Sequence, residues 1–298
     1  MPLLLNGFTD HTTNTGEVEI AYSVGPDNGP TLLLLHGVTS RRDGFTMLLD
    51  ALTEDYRVIT MDQRGHGYSG HTSGHYMTPD HGRDIRFVIE NVCKESTFVW
   101  GHSMGGANAV AMAGDSPEQL RALVLEDPAL FGRTRPSSNS KTPTKSQFQV
   151  NLELVEQNLS TEEMISRQIE TNVGQPEWVA PWKTECLSQM DIELLRMTAG
   201  GVYKGGGEPA EALAMISCPV LLVQADPTVG GILPDNYLAA MLPDRDDFTS
   251  TKIEGAGHNI NRDNPADILA VVMPWLAARA SEFLSARHPE LDSESLTK

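Results

Sequence analysis

A lone hydroxyl stands between glycines at Gly101-His102-Ser103-Met104-Gly105, where the apolar run TFVW passes into the alanine-rich stretch ANAVAMAG. Serine there could simply cap a helix. It could also attack a substrate, but only if a base takes its proton. Two later segments supply partners: VQAD ends on Asp226, and EGAGHNI carries His258. Ser103, Asp226 and His258 in this chain order suit acyl transfer. The hydroxyl attacks, the imidazole takes its proton, and the carboxylate fixes the imidazole tautomer. The backbone N–H groups of Met104 and of Val38, which follows His36-Gly37, are the expected oxyanion donors. Asp127 in LEDPAL is the rival acid, one strand earlier, and is expected instead to shape the turn that follows it.

Such a constellation needs elements that bring distant positions to one place. EVEIAYSV (17–24) alternates as a half-buried strand. TLLLLHG (31–37), YRVITMD (56–62), TFVWGHS (97–103) and ALVLEDP (122–128) are short apolar runs bounded by turn residues, as buried parallel strands are. Helix-length stretches at 43–53, 79–93 and 104–114 separate them. This repeated βαβ pattern predicts an α/β fold, a mostly parallel, doubly wound sheet with helices on both faces. Ligands then bind beyond the carboxyl ends of the strands, where Ser103, Asp226 and His258 are expected. After Leu130 the pattern breaks. The polar stretch 133–147 reads as a loop, and helical periodicity follows, with Phe148, Leu152, Val155 and Leu159 on one face. Ser160 and Glu163 form a capping box, and the glycine-rich stretch 199–209 reads as a flexible loop. Alternation resumes at 218–226, 234–241, 247–253 and a long helix over 264–286, before a tail expected to fray. Residues 131–215 are therefore an all-helical insert after the sixth strand, in a core made of 1–130 and 216–298.

The motifs LLLLHGVTS, DQRGHGYS, GHSMGG, LLVQADPTVGG and GAGHNI occur in this order. Together they resemble the α/β-hydrolase family, specifically its lidded branch of small esterases, enol-lactonases, C–C bond hydrolases and cofactor-free haloperoxidases. The resemblance covers about 17–130 and 215–285. It implies a nucleophile elbow at Ser103, with Asp226 and His258 as acid and base, Val38 and Met104 as oxyanion donors, and 131–215 as the lid, or cap. Serine rather than aspartate at 103 points away from that family's dehalogenases and epoxide hydrolases. His36, Trp178, Trp182, Met190, Met197 and Tyr203 are candidates to line the substrate pocket. Asp62 and Arg64 are expected to serve an ion pair or turn network, and His102 to pack beside the nucleophile.

The totals set limits. A formal charge of −18 lacks the basic footprint of nucleic-acid binding and disfavours anionic membranes. Only seven of the 22 Lys and Arg residues are lysine, and Arg133, Arg135, Lys183 and Lys204 lie in or beside the insert. Three widely spaced cysteines give no metal or disulfide framework, and His66, His71, His75 and His81 match no ligand template. The opening MPLLLNGFTD has no basic lead, so a cytoplasmic location is expected. The expected activity is cofactor-free hydrolysis of a carboxylic ester or lactone with an apolar portion, by a monomer or homodimer. Cleavage of a C–C bond in a ring-cleavage product, or ligand sensing on the same fold, would use the same motifs.

Overall fold

The computed structural model describes residues 6–114, 118–130, 145–171, 174–202 and 208–287. Eight strands form one sheet: β1 (Thr9–Asn14), β2 (Glu19–Val24), β3 (Thr31–Leu35), β4 (Arg57–Met61), β5 (Thr97–His102), β6 (Leu120–Glu126), β7 (Val220–Ala225) and β8 (Phe248–Ile253). Their spatial order is β1-β2-β4-β3-β5-β6-β7-β8. The pairs β1/β2 and β2/β4 are antiparallel, and all later pairs are parallel. β1 escapes the sequence reading because TDHTTN is polar and largely exposed, an edge strand with no apolar face to betray it.

The TLLLL of β3 shows why the central strands read as unbroken apolar runs. Leu33 and Leu35 enter one core layer, with Ile85 and Val88 of α2 (Thr78–Val88) and Val110 of α3 (Met104–Gly114). Leu32 and Leu34 enter the opposite layer, with Leu48 and Leu52 of α1 (Thr46–Asp55) and Ile268, Val272 and Leu276 of α11 (Pro265–Arg287). Successive side chains point to opposite faces, so a strand covered on both sides reads as a continuous apolar run.

Five helices lie between β6 and β7, with no strand among the described residues: α4 (Gln147–Glu156), α5 (Thr161–Thr171), α6 (Val179–Ser188), α7 (Ile192–Ala199) and α8 (Pro209–Ala214). Leu152, Val155, Leu159 and Met197 join Leu154, Met164, Leu187, Met190 and Leu194 in a third apolar cluster. Val38, from the loop after β3, packs against it. The capping box at Ser160 is present: its hydroxyl accepts from the Glu163 amide, and its own amide donates to the Glu163 carboxylate. Residue 131, most of the 133–147 loop, part of the glycine-rich loop and the tail lie outside the described residues. α9 (Asp235–Met241) and the short α10 (Ile260–Asp263) complete the fold.

Asp62 and Arg64 are both buried, but each finds its own partner. Asp62 receives the Arg42 guanidinium at 2.8 Å and the Arg42 and Tyr68 amides. Arg64 makes a fork onto Asp84 at 2.6 and 2.7 Å, with Glu17 and the His75 carbonyl beside it. Removing one member of a buried pair leaves an uncompensated charge, which costs about 3–5 kcal/mol. Arg64→Met should lower the unfolding free energy in urea by that order. Adding Asp84→Leu should recover much of the loss, because no charge is then left buried.

Candidate active site

The site is assembled at the carboxyl ends of β3, β5, β6 and β8. Ser103 follows β5 directly and has a φ of +53°, in the left-handed region that a side chain adopts only at a cost. The chain can turn this sharply because of its flanking glycines. A Cβ on Gly101 would lie 2.5 Å from the Gly105 carbonyl oxygen, and one on Gly105 would lie 2.2 Å from that of Leu35. Neither space admits a carbon, so the first turn of α3 sits directly against the ends of β3 and β5. The Ser103 carbonyl then accepts from Ala107 and Ala129, fixing the elbow to the helix and to the segment after β6.

His258 follows β8 in the loop GAGHNI. Its Nε2 lies 2.9 Å from the Ser103 hydroxyl, and its Nδ1 lies 2.7 Å from Oδ2 of Asp127. The Nδ1–H donates to the carboxylate, which leaves Nε2 to accept from the serine. Asp127 is fully buried, immediately after β6, at a φ of +36°. Its Oδ2 also accepts from the Ile232 amide at 2.9 Å.

This geometry corrects the expectation for Asp226. Its Oδ1 accepts from the Thr228 amide and hydroxyl at 2.8 and 2.7 Å, and its Oδ2 accepts from the Gly255 amide at 2.9 Å. Both oxygens are thereby occupied by loop backbone and a threonine. The Gly255 amide, then Thr228, hold the carboxyl below the usual aspartate range. Asp226 builds an Asx turn and ties it to the loop that carries His258. β6 and β7 are adjacent parallel strands, so their terminal aspartates stand side by side and the sequence motifs fit either one. The turn expected of Asp127 is made as well, but its carboxylate faces the imidazole.

Two neighbours hold His258 that motif reading did not single out for this. His102 donates from Nε2 to the His258 carbonyl at 2.9 Å, with the two rings 4.8 Å apart. Burial, and then the neighbouring His258, push its pKa well down, so it remains a neutral donor. Glu126 is fully buried and accepts from Trp100 Nε1 at 3.0 Å and from the Asn261 amide at 2.8 Å. It thus ties the sheet to α10, two residues beyond His258. Burial pushes this carboxyl up to about 8. The signal for Glu126 is a glutamate at the end of an apolar strand, where a charge has no solvent to face.

The loop after β3 lies against the elbow. A Cβ on Gly37 would be 2.9 Å from His102 Nδ1 and 3.1 Å from the Ser103 Cβ, so glycine lets the Gly37–Val38 backbone come alongside the hydroxyl. Met104 begins α3 on the other side and is buried. His36 does not line a pocket with a free ring. Its Nε2 accepts from the Gln63 amide at 3.0 Å, and its Nδ1 donates to Gly37 O at 2.8 Å. Burial lowers its pKa to about 4, which keeps Nε2 available as an acceptor. Gln63 also donates to the His36 carbonyl and accepts from Asn108 of α3, locking loop to helix.

α6 is fastened onto this same loop. Trp182 is buried and donates from Nε1 to Asp43 at 2.7 Å. Arg41 reaches Asp43, Glu185 and Gln189. Trp178 is 37% exposed and meets Trp182 edge to face at 5.9 Å. Met190 and Met197 belong to the apolar cluster of the helical segment, and Tyr203 and Lys204 lie outside the described residues. His66 and His81 are buried while His71 and His75 are exposed, and no metal-holding group of His, Cys, Asp or Glu occurs among the described residues.

Residues 30–159 match the family model described as alpha/beta hydrolase fold. The chain is similar to 2-(acetamidomethylene)succinate hydrolase of Mesorhizobium japonicum, with 34% identity over 100 residues, 34% of this chain and 36% of the relative. That alignment thus spans about a third of the relative's length. The solved structure of E-2-(acetamidomethylene)succinate hydrolase superposes with a TM-score of 0.71 at 20% identity, covering 91% of this chain and 99% of that one. A thermophilic esterase from Thermogutta terrifontis gives a TM-score of 0.66 at 25% identity, covering 92% and 99%. The match over the elbow, the eight-stranded sheet around it and these superpositions together show that this chain has the α/β-hydrolase fold.

Proposed function

We propose that the protein is a serine hydrolase acting on a carboxylic ester or lactone through an acyl-enzyme, with Ser103, His258 and Asp127 as its triad. The observation that carries this reading is the continuous chain of contacts, 2.9 Å from hydroxyl to imidazole and 2.7 Å from imidazole to carboxylate. The names of the similar proteins, a succinate hydrolase and an esterase, agree with hydrolysis at an acyl centre.

Ser103 Oγ attacks the carbonyl carbon as its proton passes to His258 Nε2. The imidazolium formed is stabilised by Asp127, which never needs to accept the proton. The oxyanion rests on the amides of Val38 and Met104, together with the positive end of α3. Collapse expels the alcohol, which takes the proton from Nε2. Water then attacks the acyl-serine, gives its proton to the same nitrogen, and releases the acid and free Ser103. In this reading the helices of 131–215 act as a lid above the site, its working surroundings are cytoplasmic, and the substrate is a small molecule. No helix among the described residues is long and apolar enough to cross a membrane.

A fluorophosphonate should label wild-type protein at Ser103, read by peptide mass, and Ser103→Ala should neither label nor turn over p-nitrophenyl acetate. Retained turnover would refute the nucleophile. Asp127→Asn should lower kcat by about 10⁴-fold, because the asparagine can leave the imidazole in the wrong tautomer. Asp226→Asn should lower kcat less than tenfold, and lower the melting temperature by weakening its charged hydrogen bonds to Gly255 and Thr228. The reverse ranking of the two kcat values would restore Asp226 as the acid.

A further inference from the structure

Lys183 of α6 is the residue of the helical segment that the triad chemistry leaves unexplained. It is half-buried, and its ammonium donates to the Thr39 carbonyl and hydroxyl, both at 2.7 Å. Thr39 is the residue after Val38, and Gly37 before that packs against Ser103. The ammonium is therefore fixed on the very loop whose backbone flanks the nucleophile. Thr39 itself has a φ of +60°, so the loop is turned sharply at the point where the lysine grips it.

Lys183 stands apart from the ion pairs around it. Arg41 pairs with Asp43 and Glu185, Arg42 with Asp62, and Arg262 of α10 with Asp263. Lys183 meets only the two neutral oxygens of Thr39 and the Trp182 ring, 5.8 Å away. Among the described residues no carboxylate pairs with it. An ammonium has three donors, and two are engaged. Burial lowers this one to about 8, which still leaves it largely protonated at neutral pH. A half-buried cation held on the loop that flanks Ser103, with no acidic partner among the described residues, is a costly arrangement unless an anion arrives to complete it.

We infer that Lys183 is a specificity residue that receives a carboxylate carried on the acyl portion of the substrate, a few atoms from the scissile carbonyl. This rests on the serine-hydrolase reading and narrows its substrate to the half-esters or lactones of small dicarboxylic acids. The oxyanion loop would hold the carbonyl oxygen through Val38 while the next residue, Thr39, holds the lysine that takes the far carboxylate. The two contacts lie on one rigid loop, so they would measure the spacing between the carbonyl and the second acid group.

The test compares two esters that differ in charge alone, mono-(4-nitrophenyl) succinate and its uncharged carbon isostere 4-nitrophenyl 4-methylpentanoate. Wild-type enzyme should show a kcat/KM about 10- to 100-fold higher for the succinate ester, the range expected of one charged hydrogen-bonded contact. Lys183→Met should erase that preference, mainly through KM, with the isostere changed less than threefold. Equal losses on both esters would overturn the inference and make Lys183 a fastening of the lid to the loop. A wild-type preference for the neutral ester, or no turnover of the succinate ester, would overturn it even if the variant does not fold. Failure of the underlying reading is separate: Ser103 would then resist the fluorophosphonate and neither ester would be cleaved.

Discussion

One imidazole has to meet an alcohol with one nitrogen and a carboxylate with the other, and every other feature of the site serves that double contact. His258 sits on a loop, the kind of segment that wanders unless it is held. It is held at several points. Asp127 grips its Nδ1, His102 its carbonyl, Glu126 the amide of Asn261 in the short α10 that follows, and Asp226 the loop just before it. All four anchors sit at the ends of β5, β6 and β7, within or just after the strand. A parallel sheet supplies such ends in a row, at a spacing set by its hydrogen bonds. That regularity allows residues far apart in the chain to meet to within a few tenths of an ångström.

The elbow and the loop after β3 work under the same constraint. Backbone approaches backbone closely there, and side chains would prevent it. Glycine at 37, 101 and 105 removes the obstruction. The His36–Gln63–Asn108 network then restores the rigidity that the glycines give up. α6 leans on the far side of this loop through Trp182, Arg41 and Lys183. Any movement of α6 would therefore be felt at the residues flanking Ser103.

Much of this was legible in the residues themselves. Unbroken apolar runs announced β3 to β7, since a strand buried on both faces cannot alternate. Glycines around Ser103 announced the turn, because sterics there leave no other choice. The position of His258 followed from its place after the last strand. Asp226 was misread for a physical reason: it and Asp127 end neighbouring parallel strands, and a turn-forming aspartate and a histidine-orienting one carry the same short motif. Which carboxylate faces inward depends on backbone twist after the strand, seen here as the positive φ of Asp127, and on the Thr228 and Gly255 donors that turn Asp226 away. β1 was hidden by its polar, solvated sequence. The ring partners of His36 and Trp182 were not legible, because Gln63 and Asp43 are brought to them only by the fold.

The pairing of His258 with Asp127 can be observed without any substrate. In proton NMR of the enzyme carrying a boronic acid on Ser103, the His258 Nδ1–H should appear far downfield, as a proton shared with a carboxylate does. The account requires that signal to vanish in Asp127→Asn and to persist in Asp226→Asn. A signal that survives the first substitution and disappears with the second would contradict it.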